Sequence, residues 1–170
     1  MVSTVRIFAL LFALAAPAIN SQALAANAVI KVNAKATKPL TLTSAQDLDL
    51  GTIVLAPGAW SGAKVSISQA GVFSCANSNV TCTGVPQPAM YTVSGSNNEV
   101  VKITAPNVTL TNQADPTQTL LLTVDSPSTV TLANGGNKGT KFSVGGSITL
   151  SSSTAGGLYA GTFDVTVDYN

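Results

Sequence analysis

The chain closes on Gly157-Leu158-Tyr159-Ala160-Gly161-Thr162-Phe163-Asp164-Val165-Thr166-Val167-Asp168-Tyr169-Asn170, and this stretch decides the fold. Tyr159, Phe163, Val165, Val167 and Tyr169 occupy odd positions, while Thr162, Asp164, Thr166 and Asp168 occupy even ones. In an extended strand successive side chains point to opposite faces, so one face is apolar and the other is wet. That pattern predicts a half-buried strand over Leu158–Tyr169. Working outward, the same period of two predicts strands at Ala28–Thr37, Leu40–Thr43, Leu48–Leu55, Lys64–Gln69, Ala89–Gly95, Val100–Ala105, Leu120–Asp125, Thr129–Ala133, Thr140–Val144 and Ser147–Ser151. Turns are marked by Ala56-Pro57-Gly58, Gly95-Ser96-Asn97-Asn98, Asn134-Gly135-Gly136-Asn137, Gly145-Gly146 and Gly156-Gly157. No stretch offers a helix of three turns. The expectation is an all-β sandwich of immunoglobulin type.

The opposite end of the chain has two parts. Residues 1–25 read as a signal peptide: Arg6 in a short n-region, an apolar run from Ile7 to Ala16, a break at Pro17, and Ala23-Leu24-Ala25 as the cleavage site. An apolar run of ten residues falls short of the roughly 20 that a membrane span needs. The exported chain is therefore expected to start at Ala26 and to have no membrane segment. Residues 26–38 then form an extension ahead of a domain at 39–170. Within the extension Ala28, Ile30, Val32, Ala34 and Ala36 share one face, with mainly Lys and Asn on the other, and Lys38-Pro39 interrupts any ladder. It reads as a detachable strand carrying its own apolar face.

Composition narrows the function. The 170 residues include 8 Lys+Arg and 7 Asp+Glu, about 9% charged, against roughly 25% in an ordinary soluble domain. Loss of the signal removes the sole Arg and leaves seven Lys against seven acids. A neutral chain with scattered charges has no basic stripe for phosphates, which argues against nucleic acid. The absence of His removes the commonest general base and most zinc sites, so neither an enzyme nor a cofactor is expected. Cys75 and Cys82 bracket a short loop, and in an oxidising compartment they are expected to form a disulfide stapling a hairpin tip.

Other candidate chemistry is thin. Asp47 and Asp49 share a strand face, but a calcium loop would need oxygen ligands where Leu50, Gly51 and Gly58 stand. Glu99, Asp115 and Asp125 lie among turn residues, and turn chemistry accounts for them. Trp60, the only Trp, lies in a loop where an exposed indole could stack on a sugar.

The terminal segment resembles that of chaperone–usher pilin subunits, with Gly157 fourteenth from the end, alternating Phe163, Val165 and Val167, and a penultimate Tyr169. The wider chain is similar to the secreted proteobacterial domain-of-unknown-function family forty-four-zero-two. The likeness is carried by Leu48-Asp49-Leu50-Gly51, Thr92-Val93-Ser94-Gly95, Phe142-Ser143-Val144-Gly145-Gly146 and Gly157 through Tyr169. The pilin resemblance implies a sandwich lacking its last strand, held by a periplasmic chaperone, passed to an outer-membrane usher and completed by another subunit's extension. Ala28, Ile30, Val32, Ala34 and Ala36 would be the donor face. Gly157, Tyr159, Phe163, Val165, Val167 and Tyr169 would face the groove or chaperone. A homopolymer on the surface of a Gram-negative bacterium, without cofactor, would result. An antiparallel register with residue numbers summing to 199 pairs Lys31 with Asp168 and Lys35 with Asp164 on the outer face. The alternative is a self-completed secreted monomer acting as an adhesin or carbohydrate-binding module.

Overall fold

A computed structural model describes residues 31–133 and 138–170. The signal segment, Ala28, Ile30 and the turn at 134–137 lie outside the described residues. The described residues form β1 (Thr41–Gln46), β2 (Thr52–Leu55), β3 (Ala63–Ile67), β4 (Phe73–Ser74), β5 (Val80–Thr83), β6 (Ala89–Ser94) and β7 (Val100–Thr104). They continue with β8 (Val108–Asn112), β9 (Thr119–Asp125), β10 (Thr129–Thr131), β11 (Thr140–Leu150), β12 (Tyr159–Ala160) and β13 (Thr166–Tyr169). The fold is all-β, a sandwich of antiparallel sheets. One sheet runs β1-β6-β11-β9-β8-β12, with β3 and β4 joined through β11; a second runs β10-β7-β13; β2 and β5 form a separate pair.

The chain divides into two units, residues 1–35 and 36–170. Of the first, Lys31–Lys35 are exposed and hold no ladder position, with Val32 87% exposed. The strand expected over Ala28–Thr37 is thus not formed at its described positions. Among the described residues no strand is paired with this segment, and an isolated strand is not stable in water.

The second unit is built on two apolar clusters. Leu50, Val65, Ile67, Val80, Leu122 and Ile148 centre one, and Val93, Val101, Ile103, Leu132, Phe142 and Val144 centre the other. Each fully buried aliphatic side chain contributes about 1.5–3 kcal/mol. Leu48, Val124 and Phe163 pack against both clusters.

Several expected boundaries move. Gly145-Gly146 is not a turn but the middle of β11, whose first half pairs with β6 and whose second half pairs with β3. A Cβ at Gly145 would collide with the Ile67 carbonyl, and one at Gly146 would lie 2.9 Å from Leu122 Cδ1, so these glycines admit close neighbours. The expected strand Leu48–Leu55 begins only at Thr52, because Asp49 Oδ1 accepts the Gly51 N–H at 2.7 Å and turns the chain. The strands β4, β5 and β8 were not expected from the pattern. The first is two residues long and the second lies across the cysteine loop, where periodicity has little to act on.

The disulfide Cys75–Cys82 is present. It does not staple a hairpin tip: Cys75 follows β4, which pairs with β3, whereas Cys82 lies in β5, which pairs with β2. The bridge therefore ties the two-stranded pair to the large sheet.

Candidate functional site

The terminal segment is two strands rather than one. Tyr159 and Ala160 pair with Asn112 and Thr111 at the edge of the large sheet. Thr166–Tyr169 pair with Val101–Thr104 at the edge of the three-stranded sheet. The segment thus crosses from one sheet to the other, and Gly161–Val165 hold no ladder position between them. The expected alternation survives the crossing: Tyr159, Phe163, Val165, Val167 and Tyr169 are half-buried, while Thr162, Asp164, Thr166 and Asp168 are exposed. Asp168 lies opposite Lys102 across the β7–β13 ladder.

Beside this crossing lies a cavity of about 930 Å3. One backbone border is Thr154–Val165, and the other is Asp47–Ile53 at the start of the domain. Leu50, Leu110, Leu120, Leu122, Ile148 and Leu150 line it. Leu50, Leu122, Ile148 and Leu150 belong to the first apolar cluster, so the groove opens directly onto the core. Phe163 stands where the two clusters meet. The Asp47 border is held on its far edge by a reciprocal pair of bonds, Asp49 N–H to Gln87 O at 2.9 Å and Gln87 N–H to Asp49 O at 2.8 Å.

Two polar devices fix the ends of the terminal segment. At its start, the buried Asn112 donates from Nδ2 to the Gly156 carbonyl at 3.1 Å and accepts the Ala114 N–H on Oδ1 at 2.9 Å. Gly157 adopts φ +145°, and a Cβ there would sit 2.5 Å from Asn112 Nδ2, so any side chain at this position is strained. At its finish, the Tyr169 hydroxyl accepts the Ser96 N–H at 2.8 Å and donates to the Lys38 carbonyl at 2.6 Å. The Lys38 N–H in turn donates to Ser96 Oγ at 2.6 Å. Lys38 is therefore held beside Tyr169.

The structure brings Gly157, Tyr159, Phe163 and Val165 to the groove, and leaves Val167 and Tyr169 beyond it on the second cluster. Val32, Ala34, Ala36, Lys31 and Lys35 are exposed. Sequence reasoning missed the groove's leucines at 110, 120 and 122 and the Lys38–Ser96–Tyr169 clamp. The run Leu120-Leu121-Leu122 was a signal for the former; nothing local announces the latter.

Other candidates find local roles. Trp60 is half-buried against the first cluster and its Nε1 donates to the Ala56 carbonyl at 2.8 Å, so the indole is occupied in its own loop. Asp115 Oδ1 accepts both the Thr117 hydroxyl at 2.7 Å and the Thr117 N–H at 3.0 Å, and these bonds hold its carboxyl below the usual range. Burial, with a contribution from Asp47, raises the Tyr91 phenol above its ordinary value.

The fold and groove define a class: an all-β sandwich with an apolar seam open between residues 47–53 and 154–165. The chain belongs to the family described as Domain of unknown function (DUF4402), whose model matches residues 40–169. No curated protein and no solved structure matches the chain.

Proposed function

We propose that this protein is a structural, pilus-like subunit that is exported, held by a periplasmic chaperone, and assembled through an usher on the bacterial surface by strand exchange. The observation that carries the reading is the groove beside Gly161–Val165, where a crossing segment without ladder partners borders a cavity lined by core leucines. A strand added there gains main-chain hydrogen bonds along one edge and buries alternate side chains on the core. The likeness of the terminal segment to pilin subunits supports an immunoglobulin-like domain missing its last strand. The extension at residues 26–38 supplies a strand of suitable alternation. Such a subunit works without catalysis or a cofactor.

Deletion of residues 26–38 tests the reading. The mature chain is expected to give ladders on a non-boiled gel and polymers by size exclusion, and the truncated chain only monomers. Ladders from the truncated chain, or a mature chain that stays monomeric, would contradict strand exchange.

A further inference from the structure

We propose that residues 30–38 of a second copy fill the groove antiparallel to residues 157–165, and that residues 26–29 run on along 166–169, in the register whose paired residue numbers sum to 195. The proposal rests on the strand-exchange reading. It sets Ala34 opposite Gly161, Val32 opposite Phe163 and Ile30 opposite Val165, with Lys31 opposite Asp164 on the outer face.

The root of the extension means that an antiparallel strand in this register must come from another copy. In each subunit Lys38 is held beside Tyr169 through the bonds to Ser96 and to the Tyr169 hydroxyl. Antiparallel pairing in this register requires Lys38 at the opposite end, across from Gly157. Twelve residue steps separate those ends, about 40 Å at roughly 3.3 Å per residue. Lys38 cannot occupy both places, so a chain's own extension could enter its groove only in the parallel sense.

Three constraints select the register. The side-chain period requires even-numbered donor residues to meet odd-numbered acceptor residues, which leaves only odd sums. Among these, 195, 199 and 203 set a lysine at 31 or 35 opposite Asp164 or Asp168, the arrangement that favours cross-strand pairing. The sums 199 and 203 place Lys38 opposite Gly161 and Val165, inside the stretch without ladder partners. There the donor's folded domain, whose β1 starts at Thr41, would have to enter the acceptor's groove. The sum of 195 instead carries Lys35–Lys38 past Ala160, Tyr159, Leu158 and Gly157, where Leu158 is 71% exposed and the rim is open.

Length agrees. With cleavage expected after Ala25, Ala26 falls opposite Tyr169 and the extension covers the terminal segment from 157 to 169 without overhang.

Two experiments on the full mature chain test the register. The first mixes Lys31→Cys chains with Asp164→Cys chains, or with Asp168→Cys chains, under mild oxidation, and identifies linked peptides by mass spectrometry. Directly opposed strand positions have Cβ atoms about 4.5–5.5 Å apart, close to what a disulfide accepts, whereas a slip of four residues adds about 13 Å. A 31–164 link is expected. A 31–168 link in its place, or ladders without a 31–164 link, overturns the register while leaving strand exchange standing. A mature chain without substitutions that gives no ladder overturns both.

The second experiment uses exposed charges only. Lys31→Asp is expected to weaken assembly by up to about fivefold at low salt, the upper end of what cross-strand charge pairs contribute. Adding Asp164→Lys is expected to restore it. Restoration by Asp168→Lys instead would refute the sum of 195.

Discussion

Tyr169 joins three parts of the chain with one hydroxyl, accepting from Ser96 and donating to Lys38, while its ring packs against the second apolar cluster. Tyr169→Phe keeps the ring and strands both partners. The expected loss is about 1–2 kcal/mol, readable as a lower urea midpoint with an unchanged slope. Tyr169→Asp puts a charge on the same half-buried face and is expected to abolish accumulation of folded protein, with Asp168→Asn on the exposed face as the mild control. At the other end of the segment, Gly157→Ala combines an unfavourable φ with a clash against buried Asn112. A loss of about 1–3 kcal/mol is expected in the same assay, and a neutral result would contradict the Asn112 packing.

The β8–β9 hairpin shows how an element reports its own charge state. Asp115 sits at its tip, exposed, and both bonds from Thr117 favour the ionised carboxylate. Its folded value therefore lies below the unfolded one. The contact's stabilisation is complete above the ordinary carboxylate range and is lost as pH falls through the folded value. In an NMR titration the Thr117 amide is expected to shift with a midpoint below that of an unperturbed aspartate; a midpoint at or above it would exclude the ionised cap. Between β4 and β5, the disulfide closes a sequence separation of 7. Chain entropy assigns so short a loop up to about 2.5 kcal/mol, so replacing both cysteines with alanine is expected to lower stability without loss of fold.

At the scale of the whole molecule, the groove leaves part of the core open, and under the proposed strand exchange residues 26–38 of another copy would supply the strand that closes it. Burial of Ile30 and Val32 in a neighbour is worth about 1.5–3 kcal/mol each and is available only when copies meet. The unfolding temperature of the mature chain is therefore expected to rise with protein concentration, and that of the chain lacking residues 26–38 to stay constant. Calorimetry at two concentrations decides it: equal values for the mature chain would mean that the extension finds no partner. The low charge of the mature chain suits such association, because copies repel one another weakly.

Alternation along the chain was enough to establish an all-β sandwich, and it separated half-buried Tyr159, Phe163, Val165, Val167 and Tyr169 from exposed Thr162, Asp164, Thr166 and Asp168, because the period of two is a local property of extended backbone. The cysteine pair was equally legible. What alternation could not show was where a strand changes partner. Only packing reveals that Gly161–Val165 cross between sheets, that Gly145 and Gly146 run straight through a strand, and that Asp49 turns the chain before β2. The groove was half legible: Phe163 and Val165 belong to the alternating segment, but Leu50, Leu110 and Leu122 are distant in sequence and meet only through strand order. The Lys38–Tyr169 clamp spans 131 positions and no local pattern encodes it. Side-chain period belongs to the sequence, whereas strand neighbours, and with them the open seam, arise from the tertiary burial of apolar faces that the chain brings together from far apart.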